Sequence, residues 1–83
     1  MTDTKKHFKI SSFNSNGLGD FKKRKDVFDY LRNMKHDIYF IQESHLLEKN
    51  ENFIRASWGY NCFASGNSTN SKGVLILLNN TLL

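Results

Sequence analysis

The stretch Ile38-Tyr39-Phe40-Ile41-Gln42-Glu43-Ser44-His45 decides how this chain is read. Its first four residues are apolar at odd and even positions alike, which suits a strand buried on both faces. The run then stops at Glu43, Ser44 and His45. Ligands of open α/β sheets sit beyond the carboxyl ends of the strands, so a carboxylate there is a candidate functional group. A solvated Glu that simply ends the strand is the bland alternative, and these residues alone leave both open.

Working outward toward the amino terminus, Phe8, Ile10, Ser12 and Asn14 alternate with Lys9, Ser11 and Phe13. This pattern predicts a first strand from Phe8 to Phe13 that ends at Asn14. Ser15 to Gly19 (SNGLG) is a turn with two glycines able to take positive φ. Asp20 is a candidate N-cap. Phe21, Val27, Phe28, Leu31 and Met34 then fall at helical spacing as far as Lys35 or His36. A strand, helix and strand of this length join parallel strands by a right-handed crossover. Asn14 and Glu43 therefore lie on one rim, and they converge if their strands are neighbours.

Toward the carboxyl terminus, Leu46 to Ser57 predicts a loop with a short helix, broken by Trp58-Gly59. Tyr60 to Ala64 and Gly73 to Leu78 predict an antiparallel hairpin around the polar turn Gly66 to Ser71. Asn79-Asn80 signals a further turn, and the apolar Thr81-Leu82-Leu83 after it reads as an interrupted chain.

With 83 residues the chain forms at most one small domain, expected over residues 8–83 behind a disordered stretch 1–7. Its single cysteine, Cys62, excludes an internal disulfide, and no Cys/His spacing matches a zinc site. The polar opening holds no signal peptide or membrane span, so an intracellular location, nucleus or cytoplasm, is expected. The net charge of +4 is uneven: residues 1–35 carry nine Lys/Arg against four Asp/Glu, and residues 36–83 three against four. A basic amino-terminal half fits a polyanion partner and also fits an ordinary solvated surface.

Among these residues the pair Asn14 and Glu43 carries the most chemistry. A carboxylate is the hard oxygen ligand Mg²⁺ prefers, and Mg²⁺ takes only one or two from a protein, leaving positions for water and phosphate. The competing reading of Asn14 is a turn residue that bonds its own backbone. Gly17-x-Gly19 lacks the third glycine and the acid of a dinucleotide fingerprint, and there is no P-loop. Lys22 to Lys25 occupy the first helical turn, the unfavourable end for cations unless an anion binds. Alternatively they form a solvated face leaning on Asp26 and Asp29. Asn16, Lys23, Arg24, His45 and Lys72 are the further candidate phosphate or nucleic-acid contacts. Trp58, Tyr60 and Phe63 read as packing residues.

Three segments together, KISSFNSNGL (Lys9 to Leu18), IQESHL (Ile41 to Leu46) and KGVLILLN (Lys72 to Asn79), resemble the amino-terminal third of the endonuclease/exonuclease/phosphatase superfamily. The likeness is nearest to the apurinic-type endonuclease domains of LINE-type, non-long-terminal-repeat retrotransposons, and it spans roughly residues 8 to 80. It implies a four-layered α/β sandwich and a Mg²⁺-dependent phosphodiesterase acting on DNA, with Mn²⁺ as a substitute ion. It also implies that Glu43 holds the catalytic metal, which polarises the scissile phosphate and stabilises the leaving oxygen. Asn14 is implied to help bind the metal or the phosphate. Domains of that family go on to a Tyr, an Asp-x-Asn, a further Asp and a Ser-Asp-His, whose His–Asp pair activates the attacking water. No Ser-Asp-His occurs in this sequence, and His7, His36 and His45 are wrongly placed for that role. The expectation is an amino-terminal fragment, inactive alone, with the outer faces of Ile38–Ile41 and Val74–Leu78 uncovered. The alternatives are a non-catalytic nucleic-acid or interaction module, and a fragment of a lipid or inositol phosphatase of the same superfamily.

Overall fold

The computed structural model describes residues 8–66 and 72–79. The stretch 1–7, most of the turn from Gly66 to Ser71, and the chain beyond Asn79 lie outside them. In chain order the elements are β1 (Ile10–Asn14), α1 (Phe21–Met34), β2 (Ile38–Gln42), a 3₁₀ turn (Glu48–Asn50), α2 (Glu51–Trp58), β3 (Cys62–Ser65) and β4 (Val74–Leu78). The fold is mixed α/β, and its strands form a sheet in the order β1-β2-β4-β3. β1 and β2 are parallel neighbours with Asn14 opposite Gln42, while β4 runs antiparallel to both β2 and β3.

Alternation along the strands sorts the sheet into two faces. Tyr39, Leu77 and Cys62 are in register, as are Ile41, Leu75 and Ala64, and all six are buried. Phe28 and Leu31 of α1, with Ile54 and Trp58 of α2, complete that core. Trp58 joins the two layers. Its ring meets Phe28, Tyr39 and Tyr60 edge-on with centroids 5.5–5.9 Å apart, and its Nε1 donates to the Leu78 carbonyl at 2.8 Å. Arg32 ties the helices, donating from Nη1 to the Trp58 carbonyl at 2.7 Å. The Tyr39 hydroxyl donates to the Leu31 carbonyl and accepts from the His36 amide, closing the end of α1 onto β2. Burial raises the pKa of the Tyr39 hydroxyl, and also of the Cys62 thiol.

The opposite face carries Ile10, Ile38 and Leu78 in one row and Ser12, Phe40, Ile76 and Phe63 in the next. Ile10 is 56% exposed, Phe63 54% and Val74 43%, and the rest of the apolar side chains there are half-buried. The two-sided burial that the apolar run of β2 suits is therefore not met, and the outer face lies partly open, as the fragment reading expects. Tyr39 and Ile41 are enclosed, whereas Ile38 and Phe40 are only partly covered.

Other expectations move by a few residues. β1 starts at Ile10 rather than Phe8, and β3 covers Cys62–Ser65 rather than Tyr60 to Ala64. The short helix is a full α-helix that includes Trp58; it stops because Gly59 takes φ 98° and returns its amide to the Arg55 carbonyl. α1 begins as expected, with the Asp20 carboxylate accepting from the Lys23 amide at 2.8 Å. Phe21, placed on the apolar stripe by its spacing, is 67% exposed. At the first helical position its side chain leans back beyond the start of the helix. The inward place at this end of the helix belongs to Arg24, which is 4% exposed.

Candidate functional site

The parallel register of β1 and β2 brings their carboxyl ends side by side. From there Asn14 Nδ2 donates to Glu43 Oε2 at 2.8 Å. The turn reading of Asn14 also holds, because its Oδ1 accepts from the Asn16 amide at 2.9 Å in an Asx turn. That bond also settles which way the carboxamide points. An amide N–H can only donate, so Oδ1 must face Asn16 and Nδ2 must face the carboxylate.

The loop after β1 lies along the segment after β2 as a short backbone ladder. The amides of Ser15, Gly17 and Leu18 donate to the carbonyls of Gln42, Glu43 and Ser44 at 2.9, 2.7 and 2.7 Å. Buried Ser15 adds its hydroxyl to the Gln42 and Glu43 carbonyls at 3.2 and 3.1 Å. On the other flank Ser44 and His45 donate to the carbonyls of Gly73 and Lys72 at 3.2 and 2.8 Å. The segment from Glu43 to His45 is thus pinned on both sides.

Holding it there demands unusual backbone. Asn16, Glu43 and His45 have φ of 57°, 52° and 59°, three of the four non-glycine residues with positive φ among those described. Asn tolerates this region, whereas Glu and His adopt it at a cost of about 1 kcal/mol or more each. Of the two glycines expected to supply positive φ, Gly17 does so at 100°. A Cβ on Gly17 would lie 3.3 Å from His45 Nδ1, so the glycine lets the imidazole lie across the loop. Non-glycine residues in such conformations persist only where the surroundings over-determine them, and they concentrate at functional sites.

Of the further candidate contacts, Asn16 and His45 lie exposed on this rim, and Lys72 is exposed beside it with its carbonyl on the His45 amide. Lys23 and Arg24 behave differently. Lys23 Nζ donates to the carbonyls of Ser15 and Asn16 at 2.6 and 3.3 Å, and Arg24 Nη1 to those of Leu18 and Gly19 at 3.0 and 3.2 Å. The solvated-face reading holds for the other two cations of the run. Lys22 pairs with Asp26 and Lys25 with Asp29. Ser15, Ser44 and Gly73 also build the rim, though none carries a signal in the sequence. A Cβ on Gly73 would come within 2.8 Å of the Leu46 carbonyl oxygen and 3.0 Å of Ser44 Oγ.

Among the described residues no three His, Cys, Asp or Glu side chains gather as a metal site. The anionic oxygen donor at the rim is the Glu43 carboxylate; Asn14 turns its Nδ2 to that carboxylate and its Oδ1 to the Asn16 amide, so in this arrangement it orients the carboxylate rather than offering an oxygen. That donor fits an ion content with one protein carboxylate and several waters, as Mg²⁺ is, and does not fit one that needs a nitrogen and sulfur cage. No helix among the described residues is long and apolar enough to cross a membrane. The sequence matches no protein-family model and no curated protein.

Proposed function

We propose that the rim carrying Asn14 and Glu43 binds Mg²⁺, or Mn²⁺ in its place, together with a phosphodiester of DNA. On this reading the chain is the metal- and phosphate-binding portion of an endonuclease of the endonuclease/exonuclease/phosphatase type, resembling those of LINE-type retrotransposons. The observation that carries it is the 2.8 Å Asn14–Glu43 bond at the ends of two neighbouring parallel strands, where such sheets hold ligands.

Two further observations support the reading. The three motifs that prompted it, separated in sequence, meet around one segment: the loop after Asn14 and the backbone at Lys72 and Gly73 both bond to Glu43–His45. The row of exposed and half-buried apolar side chains on the outer sheet face also suits one half of a sandwich, since contiguous apolar surface marks a packing partner.

A bound divalent ion would polarise a phosphoryl oxygen and stabilise a leaving oxygen. Glu43 would supply the anionic oxygen that holds the ion. Asn14 would keep that carboxylate turned toward the rim. No residue of this sequence matches the Ser-Asp-His that would activate water, so we expect binding without turnover by this chain.

The test is fluorescence anisotropy of a labelled DNA duplex, with Mg²⁺ and with EDTA. Mg²⁺ should tighten binding, and Glu43→Gln should remove about tenfold in affinity, the worth of one charge-assisted contact of ~1.4 kcal/mol. Equal affinity under all conditions would remove the metal from the account. Mg²⁺-dependent nicking of plasmid DNA that Glu43→Gln abolishes would overturn the expectation of no turnover.

The non-catalytic nucleic-acid alternative is favoured instead by salt-sensitive DNA binding that survives Glu43→Gln and is lost when Lys22 to Lys25 are neutralised.

A further inference from the structure

The run Lys22 to Lys25 reads in sequence as a surface for a polyanion, yet its two middle members face the loop that carries the site. Between them Lys23 and Arg24 take the carbonyls of Ser15, Asn16, Leu18 and Gly19. The opposite side of the same loop donates its amides at Ser15, Gly17 and Leu18 to the segment after β2. The loop is therefore stretched between two supports, a backbone strip on one side and two cations on the other.

Both members of the Asn14–Glu43 pair hang from this loop. Asn14 is fixed through the Asn16 amide on its Oδ1, and Glu43 through the Gly17 amide and Ser15 hydroxyl on its carbonyl. A shift of the loop changes the separation of the pair directly. The cations resist that shift because of where they sit. Arg24 is enclosed, with its guanidinium 4.7 Å from the centre of the Phe53 ring and 5.8 Å from that of Phe21. Its Nε is buried with no hydrogen-bond partner among the described residues. Burying a guanidinium this way is costly unless the remaining bonds are firm, so the loop carbonyls cannot leave it cheaply.

We infer that Lys23 and Arg24 are positioning residues for Asn14 and Glu43 rather than contacts to a nucleic acid. The inference rests on the function proposed above for that pair.

The test compares Lys23→Met, Arg24→Met and the conservative Lys23→Arg in the full chain by NMR and hydrogen exchange. Lys23→Met should speed exchange at the Gly17 and Leu18 amides by roughly tenfold or more while leaving Tyr39 and Leu77 protected. It should also move the Asn14 side-chain amide resonance toward that of a free carboxamide, and Lys23→Arg should restore it. A merely structural role would raise exchange in the core as well and leave the Asn14 resonance in place. Arg24 is buried, so if Arg24→Met unfolds the chain, the half-buried Lys23 carries the test alone.

Unchanged exchange at Gly17 and Leu18 together with an unchanged Asn14 resonance in Lys23→Met would overturn the inference. Mg²⁺ separates it from the functional reading. If the substitutions disturb the Asn14 resonance but the unaltered chain does not respond to Mg²⁺, the positioning role stands and the metal site falls. If the unaltered chain binds Mg²⁺ and Lys23→Met binds it equally well, the site stands and the positioning role falls.

Discussion

The helix-covered face of the sheet and the loops at its carboxyl rim are built by different physics. On the covered face Tyr39, Ile41, Leu75 and Leu77 are fully buried against Phe28, Leu31, Ile54 and Trp58, and non-directional apolar packing holds them. At the rim few apolar groups take part. Backbone amides, two cations and three left-handed residues place Asn14 against Glu43. The first region tolerates changes that conserve volume. The second depends on the placement of single backbone atoms.

The largest expected effect turns that contrast into a measurement. Gly73→Ala adds only a methyl group, yet the residue has φ 70° and the new Cβ would lie 2.8 Å from a backbone carbonyl oxygen. The left-handed penalty and the overpacking together should cost about 2–4 kcal/mol in denaturant unfolding. A loss no larger than that of an ordinary surface substitution would mean that the rim is softer than described.

A smaller effect sharpens the same comparison at Glu43, whose φ is 52°. Removing the carboxylate as Glu43→Ala keeps the backbone cost, whereas Glu43→Gly relieves it. The glycine variant should be the more stable of the two by up to about 1 kcal/mol, although both lose the carboxylate. An alanine variant of equal stability would remove strain from the account of the rim.

The smallest effect lies on the outer face of α1, away from both regions. Hydrogen bonds from Lys25 and Arg32 hold the Asp29 carboxyl below its ordinary value. A carboxylate with a depressed folded pKa adds stability above its unfolded pKa and loses it as pH falls through the lower folded value. Asp29→Asn should therefore cost a little stability at neutral pH and none below the folded value, which slightly flattens the acid limb; the effect is small because the pair is solvent-exposed. A clear loss at neutral pH would show that Asp29 does more for the helix junction than its exposure suggests.

The legibility of the sequence follows the same division. The buried side of α1 announces itself by the Phe28–Leu31 spacing, whereas the unbroken apolar runs of β2 and β4 mark strands without telling which face is covered. The convergence of Asn14 and Glu43 is legible as well, because a short strand–helix–strand unit makes their strands parallel and the register does the rest. Arg24 reads by its charge as part of a solvated surface, yet 24, 28 and 31 share one helical stripe and its position faces inward. The left-handed Glu43 and His45 leave no local signal, because partners distant in sequence hold this segment: the Gly17 amide on the Glu43 carbonyl, and the Gly73 and Lys72 carbonyls on the Ser44 and His45 amides. Gly73 reads as the start of a strand, and nothing local marks it as the point that the Leu46 and Ser65 backbones approach.

The most direct test of the central claim is a Mg²⁺ titration of the ¹⁵N-labelled chain. The account predicts saturable shifts confined to Asn14–Gly17 and Gln42–His45, including the Asn14 side-chain amide, and their loss in Glu43→Gln. Shifts centred on Lys22–Lys25, or no shifts at the rim at Mg²⁺ concentrations that saturate ordinary carboxylate sites, would contradict it.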